Sequence, residues 1–596
     1  MLFRFNRGQR FSRRILIWRN KHISERKLVL ILSFVIGILS GLAAVLLKST
    51  VHYTHQFLST RFLHGDFNYL YLFLPLAGIT LTVLYIKFFV KDDISHGVSK
   101  ILYALSKNNG RIRPHNNYSS IVASTLTIGF GGSVGAEAPV VLTGASIGSN
   151  LGHYFRLNFK SVALLLACGT AGAIGGIFKA PIAGLVFAIE VLMLDLTLSS
   201  IVPLLISSVT GATVAYLLMG KGVVLSVLNT QPFALNNIPF YILLGLLCGL
   251  ISFYFTKSAM NIESYLGKIK SNTRRIITGG LTLAVMIFLF PSLYGEGTST
   301  LQSLLNGSVE GIPKNRIFLL FSKTEGLILI YFGLLLLLKV IAMSITNGSG
   351  GIGGIFGPTL FVGGVTGYWL SRLINSFGFI ELPQGNFALV GMAGLMAGVM
   401  HAPLTSIFLI AEITGGYSLF IPLMITATIA YITILSFTKH SMYTQRLAER
   451  GELLTHHKDE VVLTLMKLDS VIEKDFVTVN VDQSLGELVK AVSQSKRNIF
   501  PVLNEKQELV GIVLLDNIRQ VMFDRERYDD TFVSDVMISP PEIVDVTDNM
   551  EVVMKKFNTS GAWNLPVMKD GKYVGFVSKS KIFNTYRDLL VQVSEY

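Results

Sequence analysis

Apolar residues run almost without interruption from the first thirty positions to about residue 440, and charged residues crowd the two ends. Runs near 28–48, 69–90, 161–178, 201–219, 238–256, 275–291, 316–345, 385–400 and 418–437 approach or exceed the roughly 20 apolar residues that a membrane helix needs. They predict a polytopic, all-α membrane region. Stretches such as 139–153 and 358–373 are too short or too rich in glycine to cross alone. Broken helices of this kind persist at membrane depth only where protein or a water-filled cavity surrounds them. After Tyr443 the hydrophobicity falls, and the segment QRLAERGELLTHHKDE reads as a surface helix and linker leaving the membrane.

One of the interrupted segments occurs twice. Residues 131–148 read GGSVGAEAPVVLTGASIG and residues 350–367 read GGIGGIFGPTLFVGGVTG. From Pro139 to Pro358 the offset is 219, and there Gly131, Gly132, Gly135, Gly144 and Gly148 meet Gly350, Gly351, Gly354, Gly363 and Gly367. Downstream, LACGTAGAIGGIFKAPIAGLVFAIE around Pro181 matches LVGMAGLMAGVMHAPLTSIFLIAE around Pro403 at an offset of 222, bringing Glu190 onto Glu412. Close packing accounts for glycine and alanine in any membrane helix. It does not account for matched prolines and glutamates. Glycine-broken apolar segments at corresponding places in two halves point to an inverted repeat with a substrate site built from half-helix ends.

The chain has 596 residues, is 51% hydrophobic and carries a formal charge of +14, with a mean hydropathy of +0.54. Residues 1–27 hold nine Lys and Arg against Glu25, and by the positive-inside rule this places the N-terminus in the cytoplasm. A basic arm directly ahead of a span reads as a topological signal and not as a nucleic-acid arm. The segment lacks the short apolar core and cleavage site of a signal peptide. Cys168 and Cys248 lie in apolar stretches, so reduced thiols and no disulfide framework are expected. The divisions are a basic segment at 1–27, a transmembrane domain at 28–440, a linker at 441–467, and soluble units at 468–525 and 531–589.

The soluble part is itself duplicated. VTVNVDQSLGELVKAVSQSKRNIFPVLNEKQELVGIVLLDNIR and EIVDVTDNMEVVMKKFNTSGAWNLPVMKDGKYVGFVSKSKIF each read as strand, amphipathic helix, strand, turn, strand with Gly511 or Gly575, and helix. This α/β order resembles a tandem pair of CBS domains, which implies a cytoplasmic regulatory module. The resemblance also implies adenine-nucleotide binding through an Asp opening the last helix of a unit. Here those positions are Asn517 and Lys581, with Asp516 one residue earlier, so ligand sensing and a purely structural dimer contact both stay open.

A helix N-terminus carries unpaired N–H groups and roughly half a positive charge, and it binds anions without a cationic side chain. Pro139 and Pro358 suit a first helical turn, and the glycines ahead of them let bare backbone approach a ligand. Two such ends converging would form a pocket of amides suited to a small anion and poorly suited to a cation. Glu137 stands two residues before Pro139, where a carboxylate is costly without a function or partner. Its oxygens can occupy an anion's place, so it reads as a protonatable gate, with a dipole-stabilising helix carboxylate as the alternative. Phe356 holds the opposite station.

With these residues in view, the membrane part resembles the CLC family of chloride channels and chloride/proton exchangers. The Gly-x-Phe-x-Pro motif stands as Gly354-Ile355-Phe356-Gly357-Pro358, implying chloride coordination by the Ile355 and Phe356 amides. Gly135-Ala136-Glu137-Ala138-Pro139 resembles Gly-(Arg/Lys)-Glu-Gly-Pro, with Ala136 and Ala138 departing from it, and implies that Glu137 is the gating glutamate. Ser441-Met442-Tyr443 resembles the segment whose tyrosine hydroxyl meets the central chloride, and an interfacial aromatic is the alternative for Tyr443. The Gly-Ser-Gly-Ile-Pro motif is represented by Ser95-His96-Gly97-Val98-Ser99. This puts His96 at the usual serine position, or Ser95 after a one-residue slip. Exchangers of the family commonly carry a second, inward-facing glutamate after an Ile-Glu pair. Here Glu190 is kept and Val191, which cannot carry a proton, follows it, as in channel-type members.

The resemblance therefore implies a dimeric chloride channel in the plasma (inner) membrane, gated by Glu137 protonation, with cytoplasmic CBS domains. A proton-coupled exchanger on the same scaffold is the alternative. A CBS-bearing magnesium channel would need clustered carboxylates, but the acidic residues noted in the apolar region are few, chiefly Glu137, Glu190, Asp195 and Glu412. No nucleophile with a base, metal-ligand cluster or phosphate loop suggests an enzyme. No cofactor is expected beyond the nucleotide question at the CBS pair.

Overall fold

The computed structural model describes residues 22–62, 72–192, 198–220, 222, 225, 231–309, 311–313, 315–449, 466 and 468–594. Asp195, most of the basic segment 1–27 and most of the linker 441–467 lie outside the described residues. The chain divides into two compact units, Met1–Leu453 and Leu454–Tyr596.

The first unit is entirely helical among its described residues. Its first half contains α1 (Glu25–Phe62), α2 (Leu74–Tyr85), α3 (Gly97–Lys107), α4 (Ser119–Gly129), α5 (Glu137–Tyr154), α6 (Phe159–Phe178), α7 (Pro181–Val191) and α8 (Leu198–Met219). The second contains α9 (Ile238–Gly267), α10 (Asn272–Leu289), α11 (Thr298–Leu305), α12 (Arg316–Phe321), α13 (Glu325–Gly348), α14 (Phe356–Ser376), α15 (Gln384–Met400), α16 (Pro403–Ile413) and α17 (Phe420–Leu435). The short α18 (Met442–Glu449) follows. The apolar run at 316–345 is therefore two helices, α12 and α13, parted at residues 322–324. Among the described residues five helices are long and apolar enough to cross a membrane. The apolar runs near 69–90, 275–291, 385–400 and 418–437, expected as spans, are not among these five.

The halves repeat in their packing as well as in sequence. α5 lies on α6 as α14 lies on α15, and α6 meets α8 as α15 meets α17. The glycines permit this approach: a Cβ on Gly144 or Gly169 would fall on the other's carbonyl oxygen, and one on Gly363 would lie 2.5 Å from the Gly391 oxygen. Each of α6 and α15 ends on a residue in the left-handed region, Lys179 (φ 54°) and His401 (φ 53°). The next residue precedes a proline and is pushed out of the helical region, so Pro181 and Pro403 open new helices.

Those two helices cap one another across the repeat. Glu190, near the end of α7, accepts from Leu404 N–H at 3.1 Å and Thr405 N–H at 2.7 Å in the first turn of α16. Glu412, near the end of α16, accepts from Ile182 N–H at 3.0 Å and Ala183 N–H at 2.8 Å in α7. This reciprocal exchange satisfies orphan donors at both N-termini and explains why the two glutamates occupy matched stations.

The second unit holds two small sheets. β2 (Val479–Asn480), β3 (Ile499–Leu503) and β4 (Leu509–Leu514) form one in the order β2-β3-β4, while β1 (Ile472–Glu473), β5 (Val544–Asp545), β6 (Asn564–Lys569) and β7 (Lys572–Ser578) form the other in the order β1-β7-β6-β5. In both, a parallel pair is followed by an antiparallel hairpin in which Gly511 faces Val502 and Gly575 faces Val567, just before a register shift. The two units trade edges: β1 precedes the first repeat yet pairs with β7 of the second, and Ile538, ahead of the second, bridges to Ile512 of the first. α19 (Leu485–Gln494) opens on a capping box formed by Ser484 and Glu487, and α20 (Leu515–Ile518) and α21 (Val533–Val536) are single turns. α22 (Met550–Ser560) and α23 (Lys579–Ser594) complete the module.

Removing either reciprocal cap, by Glu190→Ala or Glu412→Ala, is expected to cost about 1–2 kcal/mol. Thermal unfolding in detergent should show both variants lowered, Glu190→Ala by more, since Glu190 also accepts from the Thr405 hydroxyl at 2.6 Å.

Candidate functional site

α5 and α14 start side by side because the loops ahead of them are joined. Gly135 and Gly354 form an antiparallel bridge, with Gly135 N–H donating to Gly354 O at 2.9 Å and Gly354 N–H to Gly135 O at 2.6 Å. Pro139 and Pro358 are each the third helical residue, within the turn whose N–H groups have no partner inside the helix. The ends of the two repeats thus face a common space.

The carboxylate of Glu137 fills part of that space. Its side chain is almost fully buried (3% exposed), and Oε1 accepts from Gly357 N–H, in the first turn of α14, at 3.0 Å. A Cβ on either Gly135 or Gly354 would come within 2.5 Å of Glu137 Oε1. Both glycines are therefore bare where the carboxylate lies against the backbone. Phe356, at the matching station, is buried and stacked on Phe178 with ring centres 4.9 Å apart, and Phe187 tilts against it at 6.4 Å. One half presents a carboxylate and the other an aromatic wall.

Beside the bridge is a small pocket whose lining includes His96, Ala138, Gly354, Ile355 and Tyr443. Five of the sequence-predicted residues, brought in from four separate stretches of chain, share this one cavity. Ser99 also lines it, and its Oγ donates to Tyr443 O at 2.8 Å, tying α3 to the start of α18. Ser95 is directed elsewhere: its Oγ donates to Asp93 Oδ1 at 2.6 Å, closing the turn ahead of α3. The hydroxyl near the pocket on this loop is that of Ser99, and the position offered by the slip is spent on local turn geometry.

His96 N-caps α3 in the left-handed region, φ 53° and ψ 55°. Its Nε2 lies 3.8 Å from Glu263 Oε2, and Glu263 is also paired with Arg446, another pocket residue. Sequence reasoning missed this pair because Glu263 and Arg446 lie at the ends of α9 and α18, at the polar margins of the apolar runs.

A second carboxylate was also missed. Glu296 lies in the loop between α10 and α11, flanked by Gly295 and Gly297 with φ 56° and 78°, and its Oε1 accepts from Ala136 N–H at 2.9 Å. The signal was present as an acidic residue between two glycines directly after an apolar run. Lys339, wholly buried in α13, donates to Gly295 O at 2.7 Å, so a charge inside an apolar helix holds this loop in place.

Val191 is the last residue of α7 and is buried in the apolar core. In the second unit Asp516 and Asn517 lie on α20 and Lys581 on α23, all exposed. Asp516 is engaged by Arg519 at 2.6 Å, and Lys581 N–H meets Ser578 Oγ at 3.1 Å. Among the described residues no group of three or more His, Cys, Asp or Glu side chains could hold a metal.

The chain is similar to known proteins in sequence and in fold. The voltage gated chloride channel family model matches residues 76–434, and the CBS domain model matches 468–524 and 533–588. The chain belongs to the voltage gated chloride channel family, with two CBS domains appended. It is 28% identical over 388 residues to a putative chloride channel protein, ClcB-like, of Ralstonia nicotianae, spanning 64% of this chain and 86% of that one. Against the H(+)/Cl(-) exchange transporter ClcA of Vibrio cholerae it is 28% identical over 451 residues, spanning 72% and 91%. Among solved structures, a slow cyanobacterial Cl-/H+ antiporter superposes with TM-score 0.60 at 22% identity, over 72% of this chain and 99% of that one. A eukaryotic CLC transporter superposes at 0.56 and 19%, over 93% and 97%. The fold is that of the family, and the chain is a membrane transport protein and not an enzyme.

The left-handed backbone at His96 gives a local test. His96→Gly should be more stable than His96→Val by about 1–2 kcal/mol, read as a difference in unfolding temperature.

Proposed function

We propose that the protein conducts chloride passively through each subunit of a homodimer, with Glu137 as the gate. The observation that carries this reading is the 3.0 Å bond from Gly357 N–H to Glu137 Oε1. The carboxylate takes a main-chain donor at a helix N-terminus, the group that would otherwise receive an anion. A charged carboxylate and a chloride about 4 Å apart would repel by about 4 kcal/mol at an effective dielectric constant near 20, roughly a thousandfold in occupancy. Protonation removes that repulsion and frees the amide, so acid favours the open state.

The Ile355 and Phe356 amides and the Tyr443 hydroxyl are the proposed chloride donors, with His96 at the edge of their pocket and Ala138 and Gly354 supplying its wall. These are neutral donors, so the ion binds weakly enough to leave. Passive conduction is supported by Val191, an apolar residue where a second proton-carrying glutamate would stand. A coupled chloride/proton exchanger is the second reading, favoured by the ClcA relatives, which are named as exchange transporters and are covered over 91% of their length. The N-terminus and the CBS pair are placed in the cytoplasm of a plasma (inner) membrane, on the strength of the basic segment. The CBS pair acts as the regulatory module, with adenine nucleotide its candidate ligand.

Purified protein in liposomes separates the two modes. An outward chloride gradient should move chloride without sustained uphill proton transport, and uphill pumping would overturn the passive assignment. Glu137→Gln should raise chloride flux at neutral pH and weaken its pH dependence. A profile identical to wild type would remove Glu137 from the gate. Tyr443→Phe should lower chloride affinity by about tenfold, the value of roughly one hydrogen bond to a charged group, measured by titration calorimetry.

A further inference from the structure

The amide of Ala136 belongs to the first repeat's motif loop, as that of Gly357 belongs to the second repeat's helix. Both are occupied by carboxylate oxygens, Glu137 Oε1 on Gly357 at 3.0 Å and Glu296 Oε1 on Ala136 at 2.9 Å. Gly357 lies between the two acids: its N–H serves Glu137, and a Cβ on it would stand 3.8 Å from Glu296 Oε1. Glu137 is buried, whereas Glu296 retains partial exposure, so Glu296 is the one nearer to solvent.

The loop that carries Glu296 is fixed from several sides. Lys339 holds the Gly295 carbonyl, Gly295 N–H donates to Gly131 O at 3.3 Å, and the Tyr294 hydroxyl donates to Gly129 O at 3.3 Å. Two cations face the acid electrostatically, Lys339 from α13 and Lys48 from α1. Glu137 is the like charge beside it, and Tyr294, against which His55 packs edge-on, is its neighbour in the loop. A partly exposed carboxylate seated on a motif-loop amide and faced by two lysines contests that amide with any anion that reaches it.

We propose that Glu296 is a second gate carboxylate, in series with Glu137, which must give up its hold on the Ala136 amide, through protonation or displacement, before a chloride passes. This inference rests on the reading of Glu137 as the inner gate. It assigns the outer step to a residue outside the recognised motifs. Gating then involves two carboxylates, each held on a main-chain amide, and chloride flux depends on both.

The test measures chloride efflux from liposomes by full-length wild type, Glu137→Gln, Glu296→Gln and the double variant, between about pH 4 and pH 8, the range in which perturbed carboxyl groups titrate. Wild-type flux should rise in two steps as the pH falls. Glu296→Gln should remove one step and raise flux at neutral pH by about tenfold. Glu137→Gln should keep the step that Glu296→Gln removes, and the double variant should be flat. Glutamine can still accept from the Ala136 N–H, so a merely structural Glu296 would leave Glu296→Gln with wild-type flux and pH profile while Glu296→Ala lost folded yield. That result overturns the inference and leaves Glu137 standing. A wild-type profile in Glu137→Gln alone, with Glu296→Gln altered, overturns the series arrangement by removing its inner member.

Discussion

Everything at this site depends on main-chain N–H groups that the α5 and α14 helices cannot satisfy internally. Each helix begins with such donors, and the Gly135–Gly354 bridge brings the two sets together. Apolar surroundings offer little water to fill them, so something acidic must. In the structure those acceptors are carboxylates supplied by the chain itself, at Gly357 and at Ala136. An anion entering the same place has to compete with them.

The scaffold around this site is symmetric, but the chemistry is not. Glu190 and Glu412 exchange caps, and paired glycines let α5 meet α6 and α14 meet α15 backbone to backbone. At the bridge the symmetry breaks, with Glu137 in one half and Phe356, stacked on Phe178, in the other. The second half therefore has no carboxylate at the station that matches Glu137. Glu296, from the loop between α10 and α11 of that same half, is the acceptor it offers to the first.

The membrane class, the duplication and the pairing of the two proline-opened helices were legible in the sequence. Spacing of glycine and proline records backbone approach, and backbone approach makes the bridge. The edges of the site were less legible. Ser95 and Ser99 flank His96 and Gly97 at similar distances, and only the turn that spends the Ser95 hydroxyl on Asp93 separates them. Glu263 and Arg446 meet beside His96 although 183 positions part them, and nothing local in either segment encodes that contact. Glu296 is short-range in sequence to no motif, and its meeting with Ala136 across 160 positions is a product of tertiary folding. In the soluble unit, the order of strands was readable, but the traded edges at β1 and Ile538 were not. A two-residue strand carries no periodicity to detect.

Charge balance links the buried groups. Glu296 is faced by Lys339 and Lys48 and has Glu137 as a like charge beside it, while Lys179 stands as a like charge to Lys48. Isolated charge is expensive away from water. Beside carboxylates an entering anion is opposed by like charge, and a proton on the acid relieves that opposition. Passive conduction and coupled exchange then differ in where the proton goes next.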